Sequence, residues 1–204
     1  MEKVADISGE IAAIVLAAGM STRMGRQKLL LPWNGKTIIE AIILNIKKAS
    51  LNPIIAVTGK NDWQLNSLLK KFGVHQIVNP DYLNGSMLVS LQKGILATNN
   101  TKSKAFMIFL GDQPSVQVET IQEILKAYEN TGSAIIVPSY QFHMGHPWLV
   151  DRKLWSEILQ LSEPFTLRDF LRNNKKSIQY VTVNSETILQ DIDTPEQYSK
   201  IITS

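Results

Sequence analysis

The 204-residue sequence contains no cysteine. This excludes disulfides, thiolate metal sites, iron–sulfur clusters and a thiol nucleophile. Histidine is scarce, with three in the chain. His143 and His146 stand three residues apart, but no third ligand accompanies them, so no zinc site is read there. No apolar run reaches the roughly 18 residues of a membrane helix. The first run, 11–20, follows Glu2, Asp6 and Glu10 against Lys3, the wrong charge for the start of a signal peptide. The expectation is a cytoplasmic protein without membrane association. Charge of one sign is not concentrated either. The net charge is +3 and the basic residues scatter without an arginine-rich or aromatic–basic stripe, so nucleic acid is not an expected partner. Internal repeats, low-complexity tracts and clear linkers are missing. Hydrophobic residues at 44% and charged residues at 19% are an ordinary globular composition, able to bury a core without staples.

Strand and helix patterns alternate along the chain. Ile11–Ala18 and Ala105–Leu110 read as strands buried on both faces, and 53–58, 75–79, 134–137 and 178–183 as further strands. Thr37 and Glu40 form a capping box opening a helix. Asn61 can cap a helix running to Phe72. Residues 86–97, 118–128, 151–161, 166–172 and 194–202 complete the helices. Trp63 and Trp155 fall in helical patterns and are expected to be partly buried. Trp33-Asn-Gly-Lys36 is a turn signal. The segment 138–150 looks like a small β excursion. The alternation predicts an α/β fold with a doubly wound, mostly parallel sheet. Ligands of such sheets bind outside the carboxyl ends of the strands.

Two of those ends are chemically distinctive. After the first strand, Gly19 and Gly25 bracket Ser21, Thr22 and Arg23, and Lys28 follows. The spacing is neither that of an ATPase phosphate loop nor that of a dinucleotide fingerprint. It supplies backbone N–H groups that can wrap phosphates, a planar Arg23 that grips two oxygens and a mobile charge at Lys28. The alternative is a glycine turn with surface charges. After Leu110 comes Gly111-Asp112-Gln113-Pro114. Asp112 there either caps its own turn or faces the phosphate loop. Near the end, Asp191 and Asp193 would point to opposite sides if extended, so only one readily faces the site. Asp193 also precedes an N-cap threonine with proline at the first helical position, so it can serve as capping support instead.

Leu16-Ala-Ala-Gly-Met-Ser-Thr-Arg-Met-Gly-Arg-Gln-Lys-Leu-Leu30 resembles the signature of the MobA-like nucleotidyltransferases. Within them it is most similar to the molybdenum cofactor cytidylyltransferases. The resemblance continues through 111–114, Gly145-His146-Pro147 and 191–196, and so covers nearly the whole chain. It implies one nucleotidyltransferase domain over 1–204, with a nucleotide-binding half at about 10–115 and an acceptor-binding half at about 116–204. It implies transfer of CMP from CTP to the terminal phosphate of molybdenum cofactor, with Mg²⁺ as the ion or Mn²⁺ in its place.

The resemblance also carries roles. Arg23, Lys28 and Asp112 are the implied catalytic residues. Leu16, Ala17, Ala18, Gly19, Met20, Ser21, Gly85 and Ser90 join them in holding the nucleotide. Ala17-Ala18, where guanylyl-transferring relatives tend to have two glycines, favours a pyrimidine base. Asp112 and Asp193 are the implied metal ligands. Gln113, Gly145, His146 and Pro147 are implied on the acceptor side. Phe165-Thr-Leu-Arg-Asp169 departs from the family's usual stretch after Pro164. Other readings are transfer to a sugar or alcohol phosphate, and a non-catalytic protein that delivers the finished cofactor. A molybdenum hydroxylase or dehydrogenase is the implied client.

Overall fold

The computed structural model describes residues 10–19, 27–59, 62–83 and 86–202. Its strands are β1 (Ile11–Ala17), β2 (Pro32–Trp33), β3 (Lys36–Thr37), β4 (Ile54–Thr58), β5 (His75–Val78), β6 (Ala105–Leu110), β7 (Ile135–Tyr140), β8 (His143–Met144), β9 (Trp148–Asp151) and β10 (Ile178–Thr182). Its helices are α1 (Ile38–Lys48), α2 (Trp63–Lys71), α3 (Met87–Thr98), α4 (Val118–Thr131), α5 (Trp155–Gln160), α6 (Leu167–Asn173) and α7 (Pro195–Ile202).

An eight-stranded sheet runs in the order β10-β7-β9-β6-β1-β4-β5, with β8 beside β7. β1 pairs in parallel with both β4 and β6, which is why its sequence is apolar throughout. Its side chains alternate between two cores. Ala13 and Val15 face Ile39, Ile43 and Leu65 of α1 and α2, while Ala12 and Ile14 face Leu91 and Ile95 of α3. The sheet is therefore covered on both faces, as a doubly wound fold requires.

Local chemistry sets several boundaries. The Thr37 hydroxyl accepts from the Glu40 N–H at 3.3 Å, and the Glu40 carboxylate accepts from the Thr37 N–H at 2.8 Å, closing the expected capping box at the head of α1. Asn34 and Gly35 both have positive φ, at 47° and 74°, the geometry of a two-residue hairpin turn joining β2 to β3. The head of α2 is capped by Asp62, which accepts from the N–H groups of Gln64 and Leu65. Asn61, the expected cap, lies outside the described residues. Trp63 is 75% exposed rather than partly buried, because it is the first residue of α2 and precedes the helix's core-facing pair, Leu65 and Leu69. Trp155 is buried. The expected helix over 151–161 divides into a 3₁₀ turn at Arg152–Leu154 and the shorter α5. Among the described residues no helix is long and apolar enough to cross a membrane.

The excursion at 138–150 has a larger role than the sequence suggests. Its last part, β9, is no appendage: it lies inside the sheet, antiparallel to both β6 and β7. Trp148 faces Ile108 and Asp151 faces Ala105. Reversed direction puts the start of β9, and the 145–147 turn before it, at the carboxyl end of β6. A parallel strand would present its other end there.

Helix α3 lies close to the sheet at Gly94. A Cβ there would sit 2.6 Å from Ile14 Cγ2 and 3.3 Å from Val57 Cγ2, both on buried strands. Gly94→Ala gains about 1 kcal/mol of helix propensity but overpacks this contact. We expect a net loss of about 2 kcal/mol, read as a lower urea midpoint at unchanged slope.

Candidate active site

Three chain segments converge at the carboxyl ends of β1 and β6. Gly111 N–H donates to the Leu16 carbonyl at 2.9 Å, tying the turn after β6 to the end of β1. Ile192 N–H donates to the Asp112 carbonyl at 2.9 Å, tying in the segment before α7. The third segment is the 3₁₀ turn Lys28–Leu30, anchored by the buried Leu29 and Leu31.

Lys28 stands at the meeting point. Its Nζ donates to Asp112 Oδ2 at 3.2 Å and to Asp193 Oδ1 at 3.3 Å. The lysine side chain is 11% exposed, against 27% for Asp112 and 37% for Asp193, so the pairs are shielded on the lysine side and open on the other. Asp112 Oδ1 is buried and has no hydrogen-bond partner among the described residues. A buried carboxylate oxygen left without a donor is costly unless something outside the chain satisfies it.

Asp191 is turned differently. It accepts from Gln113 Nε2 at 2.8 Å, and the same amide reaches the Ile188 carbonyl at 3.3 Å. Burial, then the charges of Asp112 and Asp193, raise the Asp191 pKa, while the Gln113 hydrogen bond and Lys28 oppose this. Gln113 is thus a buried tie between the two acidic segments. Asp193, not Asp191, shares the lysine with Asp112. The backbone N–H groups of Asp193 and Thr194 both donate to Gln197 Oε1, which fixes the entry to α7.

Gly145-His146-Pro147 is pinned to the same tie. His146 N–H donates to the Ile188 carbonyl at 3.2 Å, and a Cβ on Gly145 would overlap that carbonyl. Pro147 is buried. The His146 ring stacks on Trp148 with centroids 4.4 Å apart at 14°, and its Nε2 has no partner among the described residues. Burial pushes the imidazole pKa down to about 4, so the ring is neutral at pH 7.

Of the nucleotide-side residues, Leu16, Ala17, Ala18 and Gly19 occupy the end of β1 and the residues just after it. Ser90 is buried on α3, where its hydroxyl accepts from Asn79 Nδ2 at 3.0 Å. Met20, Ser21, Arg23 and Gly85 lie outside the described residues.

One feature had no counterpart in the sequence reading. A cleft of about 1130 Å³ opens between the head of α3, His146 and Trp148, α6 and β10. Arg168, Arg172 and Lys175 line it, against a single acid, Glu163. Arg168 and Arg172, four residues apart, share one face of α6, a signal the sequence did contain, and Lys175 follows in the 3₁₀ turn after it. Phe165 and Tyr180, each about half exposed, add aromatic surface.

An α/β sheet with a lysine and two aspartates at the carboxyl ends of its central strands places a charged ligand site where such folds bind ligands. The family model described as the MobA-like NTP transferase domain matches residues 13–179, and the chain belongs to that family of nucleotidyltransferases. It is 29% identical over 190 residues to the molybdenum cofactor cytidylyltransferase of Escherichia coli K12, covering 92% of this chain and 93% of that one. It is 26% identical over 204 residues to the nicotine blue oxidoreductase of Paenarthrobacter nicotinovorans, covering 94% and 96%. Among solved structures, the manganese complex of Rv0371c from Mycobacterium tuberculosis H37Rv superposes with a TM-score of 0.78 at 24% identity, covering 96% of this chain and 99% of that one.

The neutral His146 carries a pH consequence. Its folded pKa of about 4 lies below the ordinary imidazole value of 6.5, so the unfolded chain binds the proton more readily. The stability this contributes is complete above pH 6.5 and is lost as pH falls towards 4. The loss amounts to roughly 3 kcal/mol. His146→Gln should flatten that part of the curve, seen as a smaller drop in urea midpoint between pH 7 and pH 5 than in the wild type.

Proposed function

We propose that the protein transfers CMP from CTP to the terminal phosphate of molybdenum cofactor and releases pyrophosphate, in the cytoplasm and with a divalent ion, Mg²⁺ or Mn²⁺. The observation that carries the reading is the Lys28–Asp112–Asp193 cluster at the carboxyl edge of the sheet, with the cationic cleft beside it. The whole chain acts as one domain, its nucleotide half at about 10–115 and its acceptor half at about 116–204.

The residues fit a magnesium-type ion. Such ions take one or two carboxylates, keep several waters and share substrate phosphates. Asp112 supplies a buried oxygen with no other partner, and Asp193 a second carboxylate within reach of the same ammonium. Bound there, the ion would offset charge on the triphosphate.

The protein groups do the rest by position. Lys28 and Arg23, with the amides of 19–21, neutralise the departing pyrophosphate. Ala17 and Ala18 leave room for the nucleoside at the end of β1, and Gly85 and Ser90 serve its base. An oxygen of the acceptor phosphate forms the new bond to the α-phosphorus as the bond to the bridging oxygen of pyrophosphate breaks. That oxygen is already anionic at neutral pH, so no general base is needed, and catalysis rests on alignment and charge. Gly145, His146 and Pro147 border the acceptor, and Gln113 holds their turn to the metal-side segment through Ile188. Trp148 and Phe165 suit a flat ring, and Arg168 and Lys175 suit its phosphate. This lining favours the cofactor over a sugar phosphate, which would call for more polar walls. A molybdenum hydroxylase or dehydrogenase receives the product.

The test is pyrophosphate release with CTP, GTP, ATP or UTP, each with and without molybdenum cofactor. Release should need CTP and the cofactor together. Asp112→Asn should lower it by about 10²–10³-fold, with far-UV circular dichroism unchanged. Normal turnover in that variant would remove Asp112 from the site, and release without cofactor would point to another acceptor.

A further inference from the structure

Lys28 is the one buried lysine among the described residues, and its ammonium lies between two carboxylates drawn from the middle and the end of the chain. Removing a charge from water is costly, so its burial needs a compensating role. Without it, Asp112 and Asp193 would repel across a shielded gap, with Asp191 close behind. The 3₁₀ turn and the flanking Leu29 and Leu31 fix the backbone of this lysine, but its four-carbon stem leaves the ammonium able to swing.

The gap it fills is the one a metal ion would need. An ion shared by Asp112 and Asp193 would sit about 2.1 Å from their oxygens. The ammonium already stands 3.2 Å from Asp112 Oδ2 and 3.3 Å from Asp193 Oδ1, so an ion bridging the two carboxylates would crowd it even with Asp112 Oδ1 as a ligand. A bare divalent ion would have to expel the ammonium from both carboxylates at once. A triphosphate arriving with its ion brings an anion to receive it.

We infer that Lys28 is a stand-in cation: it holds Asp112 and Asp193 together in the free protein, and yields them only when a nucleotide triphosphate offers its ammonium a phosphate in exchange. The inference rests in part on the function proposed above, since it takes the triphosphate as ligand. The lysine thus makes ion and nucleotide enter together. Nucleotide-free protein stays poor in metal, and the lysine reaches the phosphates only once the carboxylates are taken over.

The test reads metal binding, not turnover. Protein-bound Mn²⁺ is measured by water-proton relaxation, with Mn²⁺–CTP in the absence of protein as the blank. The wild type should bind Mn²⁺ weakly alone and at least tenfold more tightly with CTP. Lys28→Met should bind Mn²⁺ alone at least tenfold more tightly than the wild type, and should lose most of the further gain from CTP. Lys28→Arg, which keeps the charge, should still exclude the bare ion. The gain must vanish in the double variant Lys28→Met/Asp193→Asn. Because Lys28→Met leaves two carboxylates facing each other, it should melt lower than wild type and regain more of its melting temperature on adding Mn²⁺. Equal Mn²⁺ affinity in wild type and Lys28→Met without nucleotide would overturn the inference, as would a gain that survives loss of Asp193. If CTP fails to tighten Mn²⁺ in the wild type while Lys28→Met still gains, the nucleotide reading fails and the lysine's exclusion of the metal stands.

Discussion

Two carboxylates that start 81 residues apart in the chain meet at one ammonium, and much of the site's geometry follows from keeping them there. Charges of one sign drift apart when they share a poorly solvated edge. Here they are held from below by backbone bonds, Gly111 to Leu16 and Ile192 to Asp112, and from the front by Lys28. The lysine stem rises from a turn whose neighbours are buried leucines, so the hydrophobic core sets the position of the charge. That link from core to site is how a doubly wound sheet makes a rigid platform from the ends of its strands.

The second organising constraint is the reversal of β9. By running antiparallel between β6 and β7, it brings Gly145 and His146 to the edge that carries Asp112. The Ile188 carbonyl then accepts from His146 and from Gln113 together. One oxygen joins the acceptor-side turn to the segment carrying Asp191 and Asp193. His146 packs as a neutral ring against Trp148, so this part of the wall presents no positive charge. The cleft beside it draws its charge instead from Arg168 and Arg172 of α6, Arg172 steadied by Asp169, and from Lys175 just after the helix.

Much of this was legible in the residues. β6 coincides with its apolar run and β1 ends one residue short of its own, because strands buried on both faces must be apolar over their whole length. The Thr37–Glu40 box and the Asn34-Gly35 turn are local chemistry and form as read. Trp63 shows the limit: helical periodicity gives a helix but cannot say how far the core extends towards its first turn. β9 was beyond reach because three apolar residues and an aspartate carry no direction. The choice between Asp191 and Asp193 depended on Gln113, whose amide claims one of them.

The sequence by itself determined the alternation of elements, the two apolar central strands and the charged residues at their carboxyl ends. Those follow from short-range periodicity and from residue chemistry. Only the tertiary structure decided which aspartate shares Lys28 with Asp112, which way β9 runs, and that α6 turns its basic face towards the wall of His146 and Trp148. These outcomes depend on pairings between residues tens of positions apart, and no local pattern encodes them.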